Sequence, residues 1–216
     1  MNGRAFATVV LDVDSTISGV EGITWLAERA GELIARRVAS LIADAASGKV
    51  PQDEAYATAL ATIRPRREAV DALSRAYIDQ IDPYCEDAIR QLRRAGVRVI
   101  LMSTAPRHAL LRLAYYLGVD LDDVYAVNVR FDAIGAYDGV DVTSPLAQAD
   151  GKRILLATLD LERPVLVVGD GLTDLAMRDG ADAFAAFTGF VQRDDVAERA
   201  DAVIDSFPQL ASMVLA

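Results

Sequence analysis

Two carboxylates, Asp12 and Asp14, stand one residue apart directly after the apolar residues 9–11. Side chains two positions apart on an extended chain point to the same side, so both acids can face one pocket. Two like charges this close repel each other unless their protonation states differ or a cation lies nearby. One carboxylate can then serve as a nucleophile while the other acts as an acid or base.

Further reactive side chains follow other apolar runs of the chain. Ligands in open α/β sheets bind beyond the carboxyl ends of the strands, so polar residues directly after each run should meet at one edge. They are Ser103 and Thr104 after residues 97–102, Asp170, Thr173 and Asp174 after residues 165–168, and Lys152 after the turn 148–151. Clustered carboxylates need a cation, and a metal beside a lysine attracts phosphate. The set therefore predicts a site for a divalent metal and a phosphate group.

Each member of this set also has an ordinary structural interpretation. Asp174 and Ser103 taken singly could be helix caps, and Lys152 could be a solvated surface lysine. This interpretation fails for the group as a whole, because carboxylates gathered at strand ends repel one another unless a cation is present.

The composition favours a compact protein with small-molecule partners. The chain has 216 residues, 52% of them hydrophobic, which is enough to bury a large core. Its 22 basic and 32 acidic residues give a formal net charge of -10, which disfavours nucleic acid and anionic membranes as partners. No apolar run approaches the ~20 residues that span a bilayer, and charges come too early for a signal peptide. We expect a cytoplasmic protein that is a monomer or a homodimer.

Cys85 is the only cysteine of the chain and His108 the only histidine. Disulfides within the chain and metal centres built on several cysteines or histidines are therefore excluded. A bound metal would need oxygen ligands, which favours Mg²⁺.

The spacing of apolar residues predicts a doubly wound α/β fold with a Rossmann-like parallel sheet. Continuous apolar runs separated by helical patterns are typical of a parallel sheet covered on both faces. The predicted strands are residues 5–11, 97–102, 124–129, 165–168, 183–187 and 202–204. The predicted helices are residues 85–95, 106–117, 152–159, 172–178 and 208–215.

One interval interrupts the alternation of strands and helices. Residues 18–82 carry apolar residues at three- and four-residue spacing and no convincing strand. This pattern predicts one helix over 23–42 or a pair of helices broken near Gly31, and further helices over 52–63 and over 67–81. We expect an all-helical cap domain at residues 18–82, inserted into a core domain of residues 1–17 and 83–216.

Four short motifs, in this order, resemble those of the haloacid dehalogenase superfamily of phosphatases. They are LDVDST at residues 11–16, LMST at 101–104, Lys152, and VVGDGLTD at 167–174. The stretch DVDSTISGVEGITWLAERAG, residues 12–31, looks most like the phosphoserine phosphatase branch, whose helical cap follows the first motif directly. The resemblance covers almost the whole chain and implies an Mg²⁺-dependent phosphomonoester hydrolase.

The resemblance also implies a role for each matching residue. Asp12 attacks phosphorus and becomes an aspartyl-phosphate, while Asp14 protonates the departing alcohol and then activates water. Ser103 hydrogen-bonds a phosphoryl oxygen, and Lys152 neutralises charge on Asp12 and the phosphoryl group. Positive charge then lies where negative charge develops in phosphoryl transfer. The implied metal ligands are Asp12, the backbone carbonyl of Asp14, Asp170 and, in a supporting position, Asp174.

The leaving-group end of the pocket departs from the phosphoserine branch. The candidate substrate-binding residues are Glu21, Thr104 and Thr173. Thr104 stands where the phosphoserine branch has a glycine, and Thr173 stands where an asparagine is usual. Glu21 stands where the branch has a glutamate for the substrate's amino group, but Ala59 stands where it has an arginine for the carboxylate. Because alanine cannot pair with a carboxylate, we expect a substrate other than phosphoserine unless Arg64 or Arg66 supplies the charge.

Three alternative functions stay open at this point. The first is a true phosphoserine phosphatase of serine biosynthesis. The second is a phospho-accepting signalling domain, which also uses aspartate, hydroxyl, lysine and Mg²⁺ on a doubly wound sheet. Its accepting aspartate follows a central strand, after an acidic pair on the first strand, and no helical cap intervenes. The third is a dehalogenase of the same superfamily, which would not need Asp14.

Overall fold

The structure is a computed structural model that describes residues 4–47, 49–148 and 150–216. Its strands are β1 (Thr8–Leu11), β2 (Arg98–Pro106), β3 (Val124–Val127), β4 (Val129–Phe131), β5 (Tyr137–Val140), β6 (Val165–Gly169), β7 (Ala183–Phe187) and β8 (Ala202–Ile204). Its α-helices are α1 (Gly22–Ala30), α2 (Glu32–Ala46), α3 (Gln52–Ile63), α4 (Arg67–Asp79), α5 (Cys85–Arg94), α6 (Arg107–Leu117), α7 (Gly151–Thr158), α8 (Leu172–Leu175), α9 (Asp194–Ala197) and α10 (Phe207–Val214). Within the described ranges, no helix is both long enough and apolar enough to cross a membrane.

A parallel sheet with the strand order β3-β2-β1-β6-β7-β8 forms the centre of the fold. Leu11 of β1 pairs with Leu101 of β2 on one side and with Val168 of β6 on the other. These three strands therefore end side by side, and the residues that follow them share one edge. The doubly wound parallel α/β fold predicted from the sequence is confirmed.

The sheet is buried on both faces. Val9 and Leu11 of β1 belong to an apolar layer that includes residues of α5, α6 and α10, whereas Val10 belongs to the opposite layer with residues of α7. Because both faces are covered, neither face of a strand needs polar residues. The strands therefore consist of continuous runs of apolar residues in the sequence.

The end of β3 corrects a predicted boundary. The strand predicted over residues 124–129 ends at Val127, and β4 leaves the main sheet to pair antiparallel with β5. The turn of this hairpin is held by Asp132 Oδ1, which accepts hydrogen bonds from the N–H groups of Ile134 and Ala136. No pattern in the sequence predicts the hairpin, because strands of three and four residues carry too little alternation.

Other boundaries differ from prediction at the ends of elements, where periodicity constrains the chain least. β2 continues past the predicted end at residue 102, with an irregular register against β3 between Met102 and Pro106. The helix predicted over residues 172–178 is the short α8 followed by a 3₁₀ turn at Ala176–Gly180. The sequence pattern does not predict α9.

The helices α1 to α4 lie between β1 and α5 in the chain. Of the two alternatives for residues 23–42, the structure has the pair of helices, α1 and α2, separated at Gly31, which has a φ of 122°. The two segments that connect these helices to the sheet are joined to each other by hydrogen bonds. The Gly19 N–H donates to the Gln80 carbonyl at 3.0 Å, and the Asp82 N–H donates to the Ile17 carbonyl at 2.9 Å. The helical insertion is thus anchored close to the end of β1, and α4 also packs against α6.

Candidate active site

The chain turns sharply after β1, at Asp12 and Asp14. The Asp12 N–H donates to the Val168 carbonyl at 3.0 Å, so Asp12 continues the pairing of β1 with β6. The N–H groups of residues 16–18 then all donate to the Val13 carbonyl, and Ser15 adopts a left-handed φ of 53°. This tight turn places both carboxylates just beyond the end of the central strand.

Lys152, in the first turn of α7, is buried between two carboxylates. Its Nζ lies 2.5 Å from Asp12 Oδ1 and 2.7 Å from Asp174 Oδ1, and all three residues are buried. Burial alone would lower the pKa of the Lys152 ammonium, but Asp12 and Asp174 reverse this effect and raise the pKa above its usual value. Lys152 is therefore positively charged at neutral pH and joins the loops that follow β1 and β6.

The start of α7 determines where Lys152 lies. Asp150 has a left-handed φ of 54° directly before the helix. A Cβ on Gly151 would lie 2.1 Å from the Pro145 carbonyl oxygen, so a side chain at this position would push α7 away from the preceding 3₁₀ turn. Glycine is needed here because the two backbone segments approach so closely.

Asp12, Asp170 and Asp174 bring carboxylate oxygens within 4.8 Å of one another. Burial raises the pKa of Asp12 well above its usual range and that of Asp170 to about 6, and the charge of Asp174 adds to both rises. Asp170 Oδ2 is buried and makes no hydrogen bond. Lys152, together with Arg193 next to Asp170, carries two positive charges against three carboxylates, so the cluster keeps a net negative charge and suits a further cation with oxygen ligands.

Arg193 lies beside this cluster, in the loop between β7 and α9. Its Nη2 is 2.8 Å from Asp170 Oδ2, an ion-pair distance without the alignment of a hydrogen bond, and 3.6 Å from Glu21 Oε1. The Ser15 hydroxyl donates to the same oxygen of Glu21 at 2.6 Å. Sequence motifs do not single out Arg193. The rule that ligand-binding residues follow strand ends would have pointed to the loop after β7.

Asp14 faces the helical insertion instead of the acidic cluster. Its Oδ2 accepts a hydrogen bond from the Gly22 N–H at 2.8 Å, and its Oδ1 accepts one from the Tyr77 hydroxyl at 2.5 Å. Burial raises the pKa of Asp14 to about 7, although the hydrogen bond from Tyr77 opposes the rise. A carboxyl group with this pKa can give or take a proton near neutral pH. Sequence analysis does not identify Tyr77 as a site residue, because an aromatic residue at helical spacing is typical of the hydrophobic core.

Ser103 and Thr104 lie near the end of β2, next to β1 in the sheet. Ser103 is buried, and its Oγ accepts a hydrogen bond from the Ala105 N–H at 3.0 Å. The carbonyl of Thr104 accepts a hydrogen bond from the hydroxyl of Tyr56 in α3. The insertion therefore contacts the edge of the sheet at β2 as well as at β1.

A cavity of about 400 Å³ lies where α3 meets the edge of the sheet. Three of the predicted site residues, Thr104, Lys152 and Thr173, line this cavity, and Tyr56 lines it from the insertion. A more open depression of about 450 Å³, lined by residues of α5 and of the end of α6, contains none of the predicted residues. The smaller cavity is therefore the candidate substrate pocket.

The cavity offers little positive charge to a leaving group. Ala59 is buried in α3 and carries no charge. The Arg64 guanidinium lies 5.8 Å from the centre of an aromatic ring of β5, and Arg66 Nε lies 3.2 Å from Glu68 Oε2. Neither arginine lines the cavity. Among the residues that the structure describes, Lys152 is the one cation in the lining, and two carboxylates already pair with it.

The chain is similar to proteins that are known as phosphatases. It matches the family of haloacid dehalogenase-like hydrolases over residues 6–182. It is 33% identical to the phosphoserine phosphatase of Bos taurus over 205 aligned residues. The alignment covers 94% of this chain and 90% of the bovine protein. A phosphoserine phosphohydrolase-like protein from Francisella tularensis has a similar crystal structure, with a TM-score of 0.82 and 18% identity over 95% of this chain and 98% of that one. A structure described as a phospho-aspartyl intermediate analogue of phosphoserine phosphatase matches with a TM-score of 0.75 and 20% identity over 96% and 98% of the two chains.

The raised pKa values of the buried acids predict how stability depends on pH. For Asp14 and Asp170 they are about 7 and about 6 in the folded protein, against an ordinary value of 3.8. The folded state then binds protons more tightly than the unfolded state, so this stabilisation is present at low pH and is lost as the pH rises. In the presence of a chelator, we expect the free energy of unfolding to fall between about pH 4 and pH 7.

Denaturant titrations of the chelated protein across this pH range test the assignment. Asp170→Asn should reduce the fall by on the order of 1–3 kcal/mol, because it removes one of the groups that lose a proton. Asp160→Asn, at an exposed position, is the matched control and should keep the wild-type slope. A slope that Asp170→Asn leaves unchanged would contradict the raised pKa of Asp170.

Proposed function

The chain belongs to the haloacid dehalogenase-like hydrolases and is a phosphatase similar to the phosphoserine phosphatases, and we propose that it hydrolyses a small phosphorylated metabolite through an aspartyl-phosphate on Asp12. The observation that carries this proposal is the buried Lys152 ammonium, 2.5 Å from Asp12 Oδ1 at the edge of the sheet. The similarity to a structure described as a phospho-aspartyl intermediate analogue supports the same chemistry.

Mg²⁺ is the metal that we propose for this site. Asp12, Asp170 and the backbone carbonyl of Asp14 would hold it, and Asp174 would support its coordination. The donors fit a hard cation because they are all oxygens, and one of them, Asp170 Oδ2, is buried without a hydrogen bond and meets Arg193 as an ion pair. When bound, the ion would neutralise negative charge on the phosphoryl group.

Asp12 must attack phosphorus as a carboxylate, and Lys152 favours this ionised form. As the bond from Asp12 to phosphorus forms, the bond from phosphorus to the alcohol oxygen breaks and negative charge spreads over the phosphoryl oxygens. Lys152 and the hydroxyl of Ser103 would stabilise that charge with groups that are already in place, which saves the reorganisation that water would need.

Asp14 would transfer the proton in both halves of the reaction. In the first half it donates a proton to the departing alcohol oxygen. In the second half it accepts a proton from the water that attacks the aspartyl-phosphate, which releases inorganic phosphate and restores Asp12. A pKa of about 7 suits both directions of transfer at neutral pH.

Residues 18–82 would act as a cap domain over a core domain of residues 1–17 and 83–216. Two contacts support this division. Tyr56 of α3 lines the cavity and its hydroxyl donates to the Thr104 carbonyl of the core. The two segments that connect the insertion to the core also lie side by side, joined by the hydrogen bond from the Gly19 N–H to the Gln80 carbonyl. A cap that closes over the cavity would exclude water during the first displacement.

We further propose a leaving group without a carboxylate. Ala59 leaves the cavity without the arginine that would pair with one, and Arg64 and Arg66 contact other groups. A carboxylate bound next to Thr104 and Thr173 would therefore lose its hydration without gaining an ionic partner. The candidate substrates are phosphate esters of neutral or cationic alcohols.

A true phosphoserine phosphatase is the second candidate, and Glu21 favours it. This residue matches the amino-group ligand of the branch, and its carboxylate already accepts a hydrogen bond from Ser15. The family match argues against a phospho-accepting signalling domain, and Asp14 argues against a dehalogenase. A cytoplasmic location, a monomeric or homodimeric state and the exclusion of nucleic acid and membranes stay predictions from composition.

Hydrolysis of p-nitrophenyl phosphate is expected to depend on Mg²⁺, because Lys152 and Arg193 leave the three acids with a net negative charge that would repel the phosphate. The measurement is the rate of nitrophenolate release with Mg²⁺ and with excess chelator, followed by restoration with added Mg²⁺. A chelated enzyme that keeps its full rate would refute the metal assignment.

Asp12→Asn should abolish turnover, because an amide is not a nucleophile toward phosphorus. Asp14→Asn should lower turnover by at least ~10²-fold, since a positioned acid or base contributes about that much. Acid-quenched protein analysed by mass spectrometry should place a phosphate on Asp12 in the wild type. Full activity in either variant, or a phosphate on another residue, would contradict the assigned roles.

Phosphoserine should be a poorer substrate than glycerol phosphate, by about tenfold or more in kcat/KM, because its carboxylate finds no partner in the cavity. The ratio is measured in the wild type and in the double variant Arg64→Gln, Arg66→Gln, where we expect no change. Efficient phosphoserine hydrolysis that survives both substitutions would favour the second candidate.

A further inference from the structure

Both carboxylate oxygens of Asp14 are held by groups that belong to the helical insertion. The Gly22 N–H at the start of α1 donates to Oδ2 at 2.8 Å, and the Tyr77 hydroxyl in α4 donates to Oδ1 at 2.5 Å. The loop that carries Asp14 itself follows β1 of the core. Tyr77 is fully buried, so this hydrogen bond does not compete with water.

We infer that Tyr77 is a positioning residue for the acid–base step, and that its hydroxyl holds Asp14 where it can transfer a proton to or from the reacting oxygen. The inference rests on the proposed role of Asp14 as the acid and base. It goes further by naming the group that orients this carboxylate. Tyr77 acts through Asp14 and needs no contact with the substrate.

The Tyr77 hydroxyl donates to Oδ1 of the Asp14 carboxylate. A hydrogen bond to a carboxylate is stronger than one between neutral groups and restricts the rotation of the acceptor. One carboxylate oxygen of Asp14 is therefore fixed in direction by Tyr77 and the other by Gly22.

Gly22 shows how closely the parts of this arrangement fit. A Cβ at this position would lie 2.3 Å from the Tyr77 hydroxyl oxygen, 3.4 Å from the Tyr77 ring carbon Cζ and 3.4 Å from Asp14 Oδ2. The first distance is impossible, and the other two are ordinary contacts. The hydroxyl of Tyr77, rather than its ring, is what requires glycine at position 22.

The hydroxyl and the ring of Tyr77 have separable functions. The ring belongs to the apolar layer that includes Leu73 and Val70 of the same helix, so it contributes to stability. Tyr77→Phe keeps the ring and removes only the hydrogen bond to Asp14. A role in packing alone would thus leave this variant with wild-type activity.

The leaving group distinguishes a positioning role from a general defect. A nitrophenol leaves readily without a proton, whereas an alkyl alcohol leaves only when an acid protonates it. For Tyr77→Phe we expect kcat/KM to fall about tenfold with glycerol phosphate and far less with p-nitrophenyl phosphate. A tenfold loss is a part of the ~10²–10⁴-fold that a positioned acid supplies. Tyr115→Phe removes the same hydroxyl from a residue that is 82% exposed and is the matched control, expected to keep both rates.

A second variant tests the same contact from the other side. Gly22→Ala should displace the Tyr77 hydroxyl and show the same leaving-group dependence that is expected for Tyr77→Phe. It therefore tests the contact even if Tyr77→Phe fails to fold. Alanine at 22 fits against a phenylalanine ring, so the double variant Gly22→Ala, Tyr77→Phe should lose no more than the worse single variant. Equal losses on both substrates, no loss in Tyr77→Phe, or additive losses in the double variant would overturn the inference.

Asp14→Asn separates this inference from the proposed function. If Asp14 is the acid, its loss must affect glycerol phosphate more than p-nitrophenyl phosphate. If Asp14→Asn shows no such difference, the proposed acid–base role fails. If it shows the difference and Tyr77→Phe does not, only the role of Tyr77 fails.

Discussion

The ion pairs of Lys152 with Asp12 and Asp174 are the interactions on which the rest of this site depends. Removing charged groups from water is costly, and a buried ammonium is tolerated only when carboxylates lie at hydrogen-bonding distance, as they do here at 2.5 and 2.7 Å. The parallel pairing of β1 with β6 brings these carboxylates together. The three acids, including Asp170 with its partner Arg193, keep a net negative charge, and this charge supports the proposed binding of a cation at the edge of the sheet.

The two acids that follow β1 are held by different parts of the chain. Asp12 is paired with Lys152 of the core, whereas Asp14 is held by Gly22 and Tyr77 of the insertion. Carboxylates one residue apart can take opposite roles only if their surroundings differ. Burial raises the pKa of both acids, but Lys152 opposes the rise at Asp12 and a cation held there would oppose it further, whereas Asp14 lies against Gly22 and Tyr77 and has a pKa of about 7. In the proposed mechanism, an insertion placed directly after β1 would thus be the means by which a single loop obtains both a nucleophile and an acid.

The sequence predicts those parts of the site that follow directly from strand ends. Continuous apolar runs indicate the parallel strands, and Asp12, Ser103 and Asp170 come immediately after them. Arg193 and Tyr77 do not follow from such patterns, since an arginine in an irregular loop and a tyrosine on a helix have many ordinary functions. Their contacts depend on how distant segments pack. The hairpin of β4 and β5 is missed for a related reason, because its stability comes from its surroundings and not from its own short pattern.

The division between core and insertion also explains where substrate preference can change. In the proposed mechanism the phosphate end depends on Lys152 and the acids of the core, which would hold the cation and the phosphoryl group. A charge on the leaving group would have to be balanced by side chains of the insertion. There, Ala59 carries no charge, and the carboxylate of Glu21 already lies near Arg193. An unpaired carboxylate in such a cavity would cost several kcal/mol, about the difference between a good and a poor substrate. If the proposed mechanism holds, a substitution in α3 would therefore redirect the enzyme to another alcohol while the chemistry at phosphorus stays the same.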